Sequence, residues 1–181
     1  MFNRKAVFLD RDGTLIEIVE RPEHIKKRTA PFKESELVFV PDVHEALDIL
    51  RRAGFLRIMV TNQPDVAHGY MEEEEWKKIH RAIVSSLDFD DVFMCRHRQG
   101  DGCPFKKPSG LMLQSAADKW GINLSKSYMV GDTYADSESG KLAGCETILV
   151  DRFYNQDAVC DVRVGNLMDA VKVIVMAEKM T

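Results

Sequence analysis

Four cysteines in 181 residues are too few and too scattered for a disulfide framework, and no apolar run approaches the length needed to span a bilayer. The first excludes a small cross-linked scaffold, and the second excludes a helical membrane protein. Basic charge is also lacking: 25 Lys and Arg face 29 Asp and Glu, a net charge of −4. Nucleic-acid binding by broad phosphate neutralisation is therefore not expected. The start of the chain lacks the long apolar stretch and small-residue cleavage site of a secretory leader, so a cytoplasmic location is expected. Cys95, Cys103, Cys145 and Cys160 are then thiols or metal ligands. There is no repeat, low-complexity tract or linker. The hydrophobic fraction of 45% and charged fraction of 30% suit one well-buried domain over residues 1–181, expected to be a monomer.

Short apolar runs alternate with helical patterns. Strands are expected at Ala6–Leu9, Leu56–Val60, Asp91–Met94, Ser127–Val130, Thr147–Val150 and Asp161–Val164. Asp42 reads as an N-cap before Val43, Ala46, Leu47 and Leu50. Glu72–Glu75 open a second helix with Trp76, Ile79 and Ile83 on its inner face. Leu113, Ala116, Ala117 and Trp120 mark a third, Ala135–Ala143 a fourth, and Leu167, Ala170, Val171 and Ile174 a fifth. In each the expected inner face is a core stripe. The alternation predicts an α/β fold, a mostly parallel, doubly wound sheet with helices on both faces, whose ligands bind at the carboxyl ends of the strands. Residues 18–36, polar and broken by Pro22 and Pro31, form either a flap beside the site or a plain surface loop.

Asp10-Arg11-Asp12-Gly13-Thr14 follows the first apolar run directly. Two carboxylates at the end of a buried strand repel each other and want a cation. Three further polar groups follow later strands: Thr61-Asn62-Gln63, Lys107-Pro108, and Gly131-Asp132 with Asp136. Each alone reads equally well as a turn, a cap or a solvated loop. A parallel sheet would bring all four to one edge, and together they suit a phosphate ester. A divalent cation removes the repulsion between an attacking carboxylate and a phosphate dianion. Magnesium suits such oxygen donors, Lys107 adds fixed positive charge, and the Thr61 hydroxyl donates to phosphoryl oxygen. A second carboxylate beside the nucleophile can protonate the leaving group and then activate water.

With all four motifs in order over nearly the whole chain, the sequence resembles the haloacid dehalogenase superfamily of phosphohydrolases. The resemblance implies a Rossmann-like fold without a large cap domain, and Asp10 as a nucleophile that becomes an aspartyl-phosphate. It implies Asp12 as general acid and base, its backbone carbonyl a metal ligand, with Thr61, Asn62 and Lys107 on the phosphoryl group. Asp10 and Asp132 would hold Mg2+, with Asp136 ligating or supporting it. The partner is then a small-molecule phosphate ester.

The D-R-D-G-T form, and Thr61-Asn62-Gln63 followed by Ala67-His68-Gly69-Tyr70, resemble the branch of heptose-bisphosphate and histidinol-phosphate phosphatases. A heptose bisphosphate is the implied substrate, with histidinol phosphate as the alternative. His68 and Lys106 stand where that branch commonly has arginines, and they are the expected substrate contacts. Pro64-Asp65 replaces a more usual small pair. The branch also carries a zinc loop C-x-H…C-x-C. Here residues 95–107 keep Cys95, His97 and Cys103, while Phe105 replaces the fourth ligand. Asp101 or water could complete a zinc tetrahedron. The other reading is two ordinary thiols in a loop. Outside enzymes, the competing readings are a phosphorylatable receiver-type module and an inactive homologue that binds. A receiver carries its phosphoacceptor later in the chain and alone, and lacks an acid–base partner such as Asp12.

Overall fold

Side-chain alternation along the first strand sets the layers. In β1 (Lys5–Leu9), Val7 and Leu9 enter one hydrophobic cluster and Ala6 and Phe8 another, and all four are fully buried. The computed structural model describes residues 3–179. After β1 come β2 (Val19–Glu20), β3 (Arg28–Thr29), α1 (Val43–Arg52), β4 (Phe55–Asn62), α2 (Glu73–Ser86) and β5 (Asp91–Cys95). Then follow α3 (Leu111–Trp120), β6 (Tyr128–Gly131), α4 (Tyr134–Ala143), β7 (Glu146–Val150), β8 (Val162–Val164) and α5 (Leu167–Lys179). Six strands form one sheet in the order β5-β4-β1-β6-β7-β8, every pairing parallel. The sheet is doubly wound as expected, and its switch point is β1, flanked by β4 and β6.

Both faces are covered. Apolar stripes of α1, α2 and α5 pack on the face that holds Val7, Leu9, Met59 and Val130. Met112, Leu113, Ala116 and Ala117 of α3 pack on the face that holds Phe8, Ile58 and Val60. Each such aliphatic or Phe side chain contributes roughly 1.5–3 kcal/mol by burial. Residues 18–36 contain the antiparallel hairpin β2–β3, with Val19 opposite Thr29.

Several local expectations need correction. Thr61 and Asn62 lie inside β4, because their backbone still pairs with Met94 and Cys95. Ser127 precedes its strand; its hydroxyl accepts from the Ala6 amide (3.0 Å) and donates to the Asn123 carbonyl (2.7 Å). Asp42 occupies the N-cap position of α1 with a left-handed backbone (φ 60°) and makes no side-chain cap. The inner face of α4 is no apolar stripe. It buries Asp136, Ser137, Ser139 and Gly140, small or polar groups that let the helix start close against the sheet edge. Trp120 is only half-buried, its indole N–H donating to Asp91 at 2.7 Å.

Candidate active site

The carboxyl ends of β1, β4 and β6 open into a cleft of 410 Å3 that takes in Asp10, Asp12, Asn62, Lys107, Asp132 and Asp136. Asp10 follows β1 and extends its ladder, the backbone N–H donating to Val130 at 2.9 Å. Lys107 arrives from the loop after β5. Its ammonium donates to Asp10 Oδ1 (2.6 Å), Asp136 Oδ1 (2.5 Å) and the Val60 carbonyl (2.8 Å), which uses all three protons. Burial opposes that charge, but the Asp10 and Asp136 carboxylates outweigh it and raise the Lys107 pKa. Asp10 Oδ2 has no hydrogen-bond partner among the described residues and stays free to react.

Asp136 serves two structures at once. Its Oδ2 accepts from the Thr133 amide (2.9 Å) and hydroxyl (2.5 Å), closing the first turn of α4, while Oδ1 accepts from Lys107. Asp132 is buried beside it. The Tyr154 hydroxyl donates to Asp132 Oδ2, and Oδ1 is buried with no partner. Burial, reinforced by Asp136, pushes the Asp10 carboxyl up to about 7 against the pull of Lys107. Burial, with the Asp10 and Asp136 charges, pushes Asp132 well above the usual carboxylate range.

Two glycines permit this crowding. A Cβ on Gly13 (φ +85°) would lie 2.1 Å from Asp132 Oδ2, and one on Gly131 would lie 2.3 Å from the Asp136 side chain. Either would force the carboxylates apart.

Oxygen atoms of Asp10, Asp132 and Asp136 lie within 4.8 Å of one another. Three buried carboxylates against one ammonium leave excess negative charge, and the orphaned Asp132 oxygen points to a missing partner. The donor set is all hard oxygen, which fits magnesium.

Asp12 lies beside this cluster. Its Oδ1 accepts from Arg11 Nη2 at 2.8 Å and its Oδ2 from the Gln63 amide at 2.6 Å. The same Gln63 nitrogen donates to the buried Thr61 Oγ1 (3.0 Å), and the Thr61 hydroxyl proton has no acceptor among the described residues.

The other predicted contacts divide: Asn62 and Lys106 line the cleft and His68 does not. Both ends of the Asn62 amide bond the Lys107 backbone, at 3.0 and 3.1 Å, so the side chain holds the lysine loop at the edge of the cleft that Asn62 lines. His68 is not among the residues that line the cleft; it sits in the turn after β4 and stacks on Tyr70 with ring centroids 5.2 Å apart. Lys106 does line the cleft, with its ammonium bonded to the His97 carbonyl at 2.9 Å. Burial lowers its pKa.

In the 95–107 loop, ligand atoms of Cys95, His97 and Cys103 also fall within 4.8 Å of one another. Phe105 is 44% exposed, and Asp101 is bonded to the Arg98 amide at 2.8 Å, so neither completes the set.

Sequence reading named Arg11 and Gln63 only as members of their motifs, without a role, and missed Arg152, Tyr154 and Asn155. Arg152 donates to the Gly13 carbonyl (2.8 Å), and Asn155 to the Asp132 and Val150 carbonyls (both 2.8 Å). The signal was available: Asp151–Asn155 is the polar segment directly after an apolar run, the criterion that found the other motifs.

The haloacid dehalogenase-like hydrolase family matches residues 26–144. D-glycero-beta-D-manno-heptose-1,7-bisphosphate 7-phosphatase of Haemophilus ducreyi is 34% identical over 156 residues, 80% of this chain and 81% of that protein. The protein of the same name from Pasteurella multocida is 34% identical over 159 residues, 81% of this chain and 82% of its own. The crystal structure of D,D-heptose 1,7-bisphosphate phosphatase from B. bronchiseptica, complexed with magnesium and phosphate, superposes with a TM-score of 0.81. It is 22% identical, covers 96% of this chain and 99% of its own, and bears on the fold alone. The family match spans more than half the sequence, and the strand-end cluster holds Asp10 and Asp12 against the matched segment: the chain belongs to the haloacid dehalogenase-like hydrolase family.

Proposed function

We propose that this protein is a magnesium-dependent phosphatase that hydrolyses a small phosphorylated sugar, a heptose bisphosphate, through an aspartyl-phosphate on Asp10. The carrying observation is the buried cluster of Asp10, Lys107, Asp132 and Asp136, with one orphaned carboxylate oxygen. The names of the two 34%-identical relatives support the substrate.

Asp10, Asp132 and the Asp12 backbone carbonyl would hold Mg2+, with Asp136 in support. When bound, Mg2+ screens the repulsion between carboxylate and phosphate and offsets charge in the transition state. Asp10 Oδ2 bonds to phosphorus as the P–O ester bond breaks. Asp12 gives its proton to the leaving alkoxide. It then takes a proton from water, which attacks the acyl phosphate, breaks the P–Oδ2 bond and frees inorganic phosphate. Arg11 and Gln63 fix the pose of Asp12 for both steps, and the Thr61 hydroxyl is free to donate to phosphoryl oxygen. Lys107 holds Oδ1 of the nucleophile, so that Oδ2 faces the cleft.

The Cys95/His97/Cys103 cluster supplies three of the four donors a closed zinc site requires. Its proposed role is a weak, exchangeable zinc site.

The test is phosphate release with Mg2+ from both anomers of heptose 1,7-bisphosphate, fructose 1,6-bisphosphate and histidinol phosphate. Preference for a heptose bisphosphate supports the reading. Preference for histidinol phosphate keeps the chemistry and replaces the substrate. No release from any ester overturns the reading.

A further inference from the structure

Four cations line the cleft: Lys26, Arg28, Lys106 and Lys107. Three are committed. Lys26 is paired with Asp65 at 3.2 Å, Lys106 with the His97 carbonyl, and Lys107 with two carboxylates and a carbonyl. Arg28 is the exception. Its guanidinium has no hydrogen-bond or ion-pair partner among the described residues. It is nonetheless held in place, lying over the rings of Phe153 (4.3 Å) and Tyr154 (4.8 Å). Stacking orders the planar fork without using its N–H groups, so little freedom is left to lose on binding an anion. Tyr154 also bonds Asp132, which sets the stacked arginine at the rim of the proposed phosphoryl site.

We infer that Arg28, carried by the β2–β3 hairpin, binds a second phosphate group of the substrate while the first lies over Asp10. This rests on the phosphatase reading and deepens it. It also answers the departures at positions 68 and 106. His68 is not among the residues that line the cleft and is stacked on Tyr70, Lys106 lacks a fork, and the hairpin supplies an arginine to the same cavity. Bidentate recognition of a phosphate is something arginine does and lysine does not.

The experiment compares sugar bisphosphates with the matching monophosphates: heptose 1,7-bisphosphate against heptose 7-phosphate, and fructose 1,6-bisphosphate against fructose 6-phosphate. The full chain with Mg2+, Arg28→Gln and Arg28→Lys are assayed, with thermal melts confirming that each folds. The readout is the ratio of kcat/KM for bisphosphate over monophosphate. Arg28→Gln is expected to lower that ratio about tenfold or more, mainly through KM, as befits a lost charged hydrogen bond. Arg28→Lys recovers only part of it, since charge returns without the fork. Equal losses on both esters would make Arg28 a latch for the hairpin and overturn the inference, as would an unchanged ratio in both variants. A wild-type chain that releases no phosphate from any of these esters removes the phosphatase reading, and this inference falls with it.

Discussion

The molecule carries two metal-type clusters, and they are built to different standards. In the first, the carboxylates of Asp10, Asp132 and Asp136 are buried, and each is anchored by a lysine, a helix cap or a tyrosine. Around Cys95, three donors converge, the position of the fourth ligand is an exposed Phe105, and the loop stays packed through Cys95 and Cys103 against the core. The first cluster has surplus charge and a structural reason to need a cation. The second joins an incomplete donor set to the apolar packing of Cys95 and Cys103. Convergence of ligand atoms alone therefore does not make a metal essential; the uncompensated charge does.

The sharpest break of that comparison is Asp10→Asn, expected to take phosphate release down to background while circular dichroism stays native. Residual turnover in a clean preparation would end the covalent mechanism. The same variant tests the surplus charge. A carboxyl raised to about 7 holds its proton more tightly in the folded chain than in the unfolded one, so the contribution of Asp10 to stability falls as pH rises from about 4 to 7. In chelator above pH 7, Asp10→Asn is expected to melt higher than wild type, and an equal or lower melting temperature would contradict this.

Asp12→Asn should slow turnover by about two to four orders of magnitude, the usual worth of acid–base catalysis. Rates within a few-fold of wild type would remove that role. Lys107→Met strands Asp10 and Asp136 without their ammonium and should cost about 3–5 kcal/mol in urea unfolding. A loss below 1 kcal/mol would mean that the cluster is more hydrated than the structure shows. The smallest effect is expected at the other cluster. Chelation of zinc, or Cys103→Ser, should leave kcat/KM within a few-fold of the untreated enzyme. Unfolding on chelation would place that loop alongside true structural zinc sites.

The strand-end carboxylates and Lys107 were legible because each follows directly on an apolar run or one loop beyond, and a parallel sheet converts that spacing into proximity. Asn62 and His68 show what that spacing leaves open. A residue that adjoins a motif shares its location but not its direction, and a side chain is captured by whichever partner it meets: a backbone for Asn62, a tyrosine ring for His68. Arg11 entered the sequence analysis only as a letter of the D-R-D-G-T form, yet it is 1% exposed and bonded to Asp12. Its neighbour Asp12 is its one ion-pair partner among the described residues, and Gln63 in turn holds the far oxygen of that carboxylate. The hairpin was undecided from composition, because Arg28 gains its meaning from aromatic rings more than 120 residues away.

The backbone amide of Asp10 is itself a rung of the central ladder, bonded to Val130. The reacting atom is thus tied to the sheet, whereas Arg28 and Lys26 ride on a two-stranded excursion outside it. A change in the hairpin alters what is recognised without touching what reacts. For a lineage, that separation is room to explore: new substrates can be sampled by drift in a short peripheral segment while the inherited chemistry stays intact.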